Sequence, residues 1–178
     1  MTCIVGLEHG GRVYIGGDSA GVSGYDVTVR SDEKVFENGN FIMGFTDSFR
    51  MGQILRYSFE PPDHDPRISE MKYLVTSFMD EIRNEYRDKG FMQKENEAES
   101  GGVFLLGYNG SLYYIDSDFQ VGKSADGYMA IGCGDSYALG SMHSTQNLKD
   151  PEKRIRLALE AAAHHNSGVR APFTIVSK

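Results

Sequence analysis

The order of local patterns along the chain constrains its fold more than any other feature. Two hairpin-like segments come first, then two helical ones, then strands again, then two more helices and a closing strand. A doubly wound α/β fold needs strands and helices to alternate. This blocked order predicts an α+β domain of antiparallel sheets with helices packed outside. One domain over residues 1–178 is expected, long enough to bury a sizeable core. No internal repeat, coiled-coil heptad or low-complexity tract interrupts it.

The first 18 residues read as a hairpin. Cys3, Val5 and Leu7 alternate, and Val13 and Ile15 are expected to share their face, around a turn at His9-Gly10-Gly11. A cross-strand Glu8–Arg12 charge pair would set Leu7 against Val13, Val5 against Ile15 and Thr2 against Asp18. A two-residue Gly10-Gly11 turn would instead put Ser19 opposite Thr2. A second hairpin turns at Asn38-Gly39. Lys34 would then face Met43 and Glu33 would face Gly44, so Lys34 and the Gly44 backbone lie near one end.

A helix over about 48–57, capped by Asp47, is expected to stop before Pro61-Pro62. The next is expected over about 68–89, with Met71, Leu74, Val75, Phe78, Ile82 and Tyr86 as its apolar stripe and Gly90 as its end. Residues 94–100 are polar and read as a loop. Strands follow at about 102–108 and 112–115 around Asn109-Gly110, and at 128–131. A helix starts near Asp135, another runs from an Asp150 cap and Pro151 to about His165, and 172–176 is a closing strand.

Eighteen Lys and Arg against 25 Asp and Glu leave a net charge of −7. With no basic cluster, no nucleic-acid partner is expected. No apolar run approaches the roughly 18 residues of a membrane span, and the first residues lack a signal-peptide pattern. A cytoplasmic protein without membrane contact is expected. Cys3 and Cys133 make no disulfide framework.

The chemistry converges on Thr2, Asp18, Lys34 and Gly44. Each is ordinary taken singly: a small strand residue, a turn former, a solvated lysine, a strand glycine. Together they meet at one end of two hairpins. Thr2 is small enough for routine removal of Met1, which would leave a hydroxyl nucleophile beside its own amine. That amine has a reference pKa of about 7.7–8.0 and is usable as a base. A nearby lysine lowers it, a carboxylate holds the lysine, and a backbone N–H such as that of Gly44 can receive an oxyanion.

Thr2-Cys3-Ile4-Val5, Gly16-Gly17-Asp18, Lys34-Val35, Met43-Gly44-Phe45 and Ala130-Ile131-Gly132-Cys133-Gly134 resemble the proteasome β-subunit family of N-terminal nucleophile hydrolases, in particular HslV. The resemblance runs from the first residue to the closing strand and is weakest between about 60 and 100. It implies a four-layer αββα sandwich of two antiparallel sheets flanked by helices, and peptide-bond hydrolysis by a threonine-type peptidase. Thr2 would be the nucleophile, Lys34 its electrostatic partner, Asp18 the lysine's support and Gly44 the oxyanion donor. Cys133 and Ser167 would complete the network at the amine. Gly21, Val22, Asp32 and Thr46 would receive a peptide or unfolded protein. A homo-oligomeric ring and an ATPase unfoldase partner are implied by the resemblance alone, and neither cofactor nor metal is called for.

The sequence departs from that pattern in places. Cys133 stands where the family has serine, and a thiol is the weaker hydrogen-bond donor. His164 stands where an aspartate is usual, while Ser167 keeps a serine's place. Cys3 replaces the more usual threonine. Asp32, near the family's specificity pocket, would select a basic side chain or be a solvated acid. Two other readings stay open: a catalytically silent ring subunit, which Cys133 and His164 favour, and an amidase acting on a small molecule. Adjacent His164 and His165 point in different directions on a helix and do not suggest a metal site. Gly132-Cys133-Gly134 lacks the third glycine of a dinucleotide loop.

Overall fold

The computed structural model describes residues 1–178. The chain begins with strands β1 (Ile4–His9), β2 (Arg12–Gly17), β3 (Ala20–Ser23), β4 (Asp26–Val29), β5 (Val35–Asn38) and β6 (Phe41–Phe45). Helix α1 (Phe49–Tyr57) follows, then α2 (Glu70–Tyr73), a π-helical turn (Leu74–Phe78) and α3 (Met79–Asp88) in one continuous run. Strands β7 (Gln93–Glu95), β8 (Ala98–Ser100), β9 (Phe104–Tyr108), β10 (Ser111–Ile115), β11 (Val121–Gly122) and β12 (Tyr128–Ile131) come next. Helices α4 (Asp135–Ser144) and α5 (Pro151–His165) precede the last strand, β13 (Thr174–Ser177).

All ladders are antiparallel. One sheet has the order β12-β1-β2-β13 and the other β11-β10-β9-β6-β5. Three buried clusters separate the layers. Ile4, Val13, Ile15, Val35, Ile42, Leu105, Leu112 and Ile131 fill the space between the sheets. Cys3, Val5 and Leu7 pack against Ile155, Ala158, Leu159 and Ala162 of α5 and Ala138 and Met142 of α4. An aromatic-rich cluster including Phe41, Phe45, Phe78, Tyr86 and Phe104 seats α1 to α3 on the second sheet. Two sheets with a helical layer on each outer face make the αββα sandwich that the resemblance implies.

The first hairpin takes the tighter turn. Gly10 and Gly11 both have positive φ, 59° and 76°, the combination a two-residue primed turn demands. His9 therefore pairs with Arg12, and Leu7 with Tyr14 rather than Val13. Glu8 does not reach for Arg12, because its carboxylate accepts from Leu112 N at 2.7 Å. A one-residue shift reverses faces. Val13 and Ile15 lie between the sheets with Ile4, while Cys3, Val5 and Leu7 face the helices.

The second hairpin turns at Gly39-Asn40, so Asn38 pairs with Phe41 and Val35 with Gly44. Asn38 is held out of the turn: its Nδ2 donates to Leu55 O (2.8 Å) within α1 and to Phe59 O (2.9 Å) beyond it. A slide of two residues leaves every side chain on its expected face.

Helix α1 is capped by Ser48, whose hydroxyl accepts from Met51 N, rather than by Asp47. Asp47 has φ 65° and accepts from Val103 N at 3.1 Å. In the long helical run the π turn changes the phase of the stripe. Leu74, Phe78, Ile82 and Tyr86 are buried, with Tyr73 and Met79 added, whereas Met71 and Val75 are exposed. Residues 93–100 form a ribbon, β7 and β8, and not an open loop. Arg83 and Arg87 of α3 grip Glu99 of β8 at 2.9 and 2.6 Å. No helix is long and apolar enough to cross a membrane.

Candidate active site

Thr2 lies just before β1, Asp18 just after β2, and Lys34 just before β5, so the ends of two hairpins in different sheets bring the three together. All three are buried, Thr2 at 4% exposure and the other two at 2%. Lys34 Nζ donates to Thr2 Oγ1 at 2.8 Å and to Asp18 Oδ1 at 2.8 Å. A buried carboxylate is costly unless its lone pairs are met. Asp18 meets this condition: Oδ1 also accepts from Cys3 N (3.0 Å), and Oδ2 accepts from Ala20 N (2.9 Å) and Arg170 N (3.2 Å). Burial pulls the Lys34 pKa below the ordinary lysine value, opposed by the charge and hydrogen bond of Asp18. Cys3 is no rival nucleophile, since burial and the neighbouring Asp18 push its thiol far above the usual range.

The other side of Thr2 is softer. With Met1 attached, the Thr2 nitrogen is an amide that donates to Cys133 Sγ at 3.3 Å. The same sulfur lies 3.5 Å from Thr2 O and 3.4 Å from Asn166 Oδ1. Asn166 ties the loop together: its Nδ2 donates to Cys133 O at 2.6 Å, and its Oδ1 accepts from Gly168 N at 2.8 Å. Thr2 O accepts from Gly134 N at 3.3 Å. Gly132 has φ 95°, and a Cβ there would come within 2.3 Å of Thr2 O, so only glycine fits. Thr2 Oγ1 donates to Met1 O at 2.5 Å. The Met1 side chain lies over Gly168, and the residue is 53% exposed.

Three of the expected site residues are placed differently. Gly44 sits inside β6 among Ile4, Ile15 and Val35. Thr46 N donates to Val103 O at 3.1 Å, and two residues earlier Gly44 is paired with Leu105. Antiparallel alternation therefore turns the Gly44 N–H into the ladder toward Leu105, where it cannot serve an oxyanion. Ser167 is exposed and makes no hydrogen bond, because the helix end directs its neighbour Asn166 to Cys133 instead. Thr46 is buried, with Oγ1 against the Gly132 turn, and does not line the cavity that holds Gly21, Val22 and Asp32. His164 is exposed, edge-on to His165, which stacks on Tyr137. No group of three His, Cys, Asp or Glu side chains is placed to hold a metal ion.

Gly21, Val22 and Asp32 do line one cavity, of about 510 Å³, together with Arg30 and Phe49. Asp32 is not a free acid. Arg30 Nε and Nη2 reach its two oxygens at 2.7 and 2.5 Å, and that hydrogen bonding holds the Asp32 pKa below the usual carboxylate range. Sequence reasoning missed Asn166, Arg30, Phe49 and Asp47. Asn166 reads as an ordinary residue at a helix end, and Arg30 and Phe49 meet only through tertiary folding. Asp47 carries an N–H without a hydrogen-bond partner in the turn beside Thr46.

No protein-family model matches the sequence, and no curated protein matches it. Solved structures do match. Thiobacillus denitrificans BPH in complex with epoxomicin superposes with a TM-score of 0.84 at 20% identity, covering 99% of this chain and 98% of that one. Eukaryotic HslV from Trypanosoma brucei gives 0.70 at 18% identity, covering 99% and 98%. The Anbu (Gly-1) mutant from Hyphomicrobium sp. strain MC1 gives 0.70 at 15%, covering 100% and 82%. The likeness is one of fold: this chain is built as the αββα sandwich of proteasome-like N-terminal nucleophile hydrolases.

Proposed function

We propose that this chain is a threonine-type peptidase whose nucleophile is Thr2 after Met1 is removed. The observation that carries the reading is the position of Lys34 Nζ, 2.8 Å from both Thr2 Oγ1 and Asp18 Oδ1 in a buried pocket at the head of the chain. An amide nitrogen is not basic, so Met1 holds the site silent. Its removal would leave the α-amine of Thr2 beside its own hydroxyl. The amine takes the Oγ1 proton as Oγ1 attacks a peptide carbonyl, and returns it to the departing amine. The resulting ester is then hydrolysed by a water from which the same amine takes a proton. Lys34 stabilises negative charge growing on Oγ1, and Asp18 keeps Lys34 charged and in place.

With Gly44 engaged in its ladder, the donor for the oxyanion is the unbonded Asp47 N–H, whose left-handed backbone is uncommon outside glycine. Peptides or unfolded proteins are the proposed substrates. A closed ring of copies is the proposed assembly, with an ATPase unfoldase as partner. Both follow the sequence resemblance to HslV, and the fold shared with an HslV structure supports them.

The test is hydrolysis of a fluorogenic peptide by protein whose Met1 loss has been verified. The expected result is turnover that vanishes in Thr2→Ala. Turnover that survives Thr2→Ala would assign the activity elsewhere. A silent ring subunit is the second reading, favoured by the thiol at Cys133 where a hydroxyl would bond more strongly. It predicts no turnover even from the Met1-free chain.

A further inference from the structure

Phe49 opens helix α1 and lines two cavities. The larger, of about 510 Å³, is lined by Gly21, Val22, Asp26 and Arg30, and Asp32 lines it too. The smaller, of about 90 Å³, has Asp32 and Glu33 on one side and Gln53 and Arg56 on the other. Lys34 Nζ is 5.7 Å from the centre of the Phe49 ring. A peptide whose carbonyl sits at Thr2 Oγ1 therefore has this wall beside it.

The wall is already covered. The Arg30 guanidinium lies over the Phe49 ring, with Cζ 3.7 Å from its centre. Asp32 grips the guanidinium through both oxygens, the planar fork that lysine cannot copy. Arg30 N donates to Ser19 O at 2.8 Å, which anchors the backbone beneath it. Gly21 makes room: a Cβ there would lie 2.7 Å from Arg30 Cδ. Nη1 carries no hydrogen bond, and the side chain is 37% exposed, so its outer face is open to a ligand.

We propose that Arg30, clamped by Asp32 and stacked on Phe49, determines the specificity of this cavity, and that it favours a neutral aromatic side chain over a basic one on the acyl side of the scissile bond. This deepens the peptidase reading and rests on it. An aromatic ring continues the stack on the free face of the guanidinium. A lysine or arginine meets the charge of Arg30 and finds Asp32 already paired. A carboxylate gains Nη1 but faces Asp26 and Asp32, and gains little overall.

Three dye-labelled peptides that differ only in the variable residue, Phe, Glu or Arg, test this in two ways. Hydrolysis is followed with the Met1-free protein, and binding by fluorescence anisotropy with Thr2→Ala, which needs no turnover. With Arg30 present, the Phe peptide should lead the Arg peptide by about tenfold. Arg30→Ala frees Asp32 and should reverse that order. Arg30→Lys keeps the charge but not the plane, so it should still reject the Arg peptide and lose part of the Phe preference. An Arg peptide that leads with Arg30 present overturns the proposal. So does a ranking that Arg30→Ala leaves unchanged, or the absence of binding by any peptide. If the binding order switches while nothing is cleaved, the specificity role stands and the peptidase reading fails. Cleavage with an unaltered ranking is the reverse case.

Discussion

The two sides of Thr2 are built to different standards. On the hydroxyl side, Lys34 and Asp18 are buried at 2% exposure and every oxygen of Asp18 is met by donors at 2.8–3.2 Å. On the nitrogen side, one exposed thiol touches three partners at 3.3–3.5 Å, tied down by Asn166. The thiol is a weak acceptor for Thr2 N and has one weak proton to share between Thr2 O and Asn166 Oδ1. The hydroxyl side is a buried and fully hydrogen-bonded ion pair, whereas the nitrogen side is where Met1 sits. The contrast predicts that substitutions on the first side cost both fold and activity, and on the second side mainly tune the amine.

The largest effect is expected from Lys34→Ala, which strands a buried carboxylate. Breaking such a pair costs about 3–5 kcal/mol, so urea unfolding should show that loss together with no measurable hydrolysis. An unaltered midpoint would contradict the claim that Asp18 and Lys34 are a structural unit. Next, Asn166→Ala should lower the rate by roughly tenfold, the cost of about one hydrogen bond at the loop that carries Cys133, while Ser167→Ala should leave it unchanged. The opposite ranking would restore Ser167 to the network. Cys133→Ser supplies a better donor and acceptor and should raise the rate by about threefold. A fall would mean that the sulfur is tuned for its place.

The pH profile sharpens the same comparison. The proposed mechanism needs a neutral Thr2 amine and a charged Lys34. Activity should rise through the amine's range and fall again on the alkaline side. Burial depresses Lys34, so that fall should come below the roughly 10.4 of an ordinary lysine. A plateau extending past that value would show that Lys34 is not burdened as described. The smallest effect concerns a region remote from the site. Glu99 is held down to about 2, chiefly by its hydrogen bond to Arg87 and then by Arg83. A depressed acid contributes stability above its unfolded value of about 4.3 and loses it as pH falls toward the folded one. Amides of the β7–β8 ribbon should therefore lose protection, relative to their intrinsic exchange rates, as pH falls from about 4.3 to 2, with the sandwich unaffected.

Much of this was legible in the sequence, for definable reasons. Asp150-Pro151 marks the start of α5, and Asn109-Gly110 marks its turn, because caps and primed turns are local chemistry. Thr2, Asp18 and Lys34 could be grouped because hairpin ends collect residues near the same edge. Registers were the weak point. Whether Gly10-Gly11 or His9-Gly10-Gly11 makes the turn depends on Glu8, which is drawn away by Leu112 of the other sheet. The role of Gly44 failed for another reason: its N–H is taken by Leu105 of β9, a neighbour that the hairpin itself does not reveal. Arg30 on Phe49 was beyond reach, because nothing local relates a strand-end arginine to the first residue of a helix that follows another hairpin.

The most direct test of the central claim is intact mass of the purified protein after incubation with epoxomicin, which the BPH structure of the same fold was solved with. The account predicts loss of one methionine and a single adduct that Thr2→Ala abolishes, with none on any chain that retains Met1. A Met1-free chain that never takes the label, or a Met1-bearing chain that does, would contradict it.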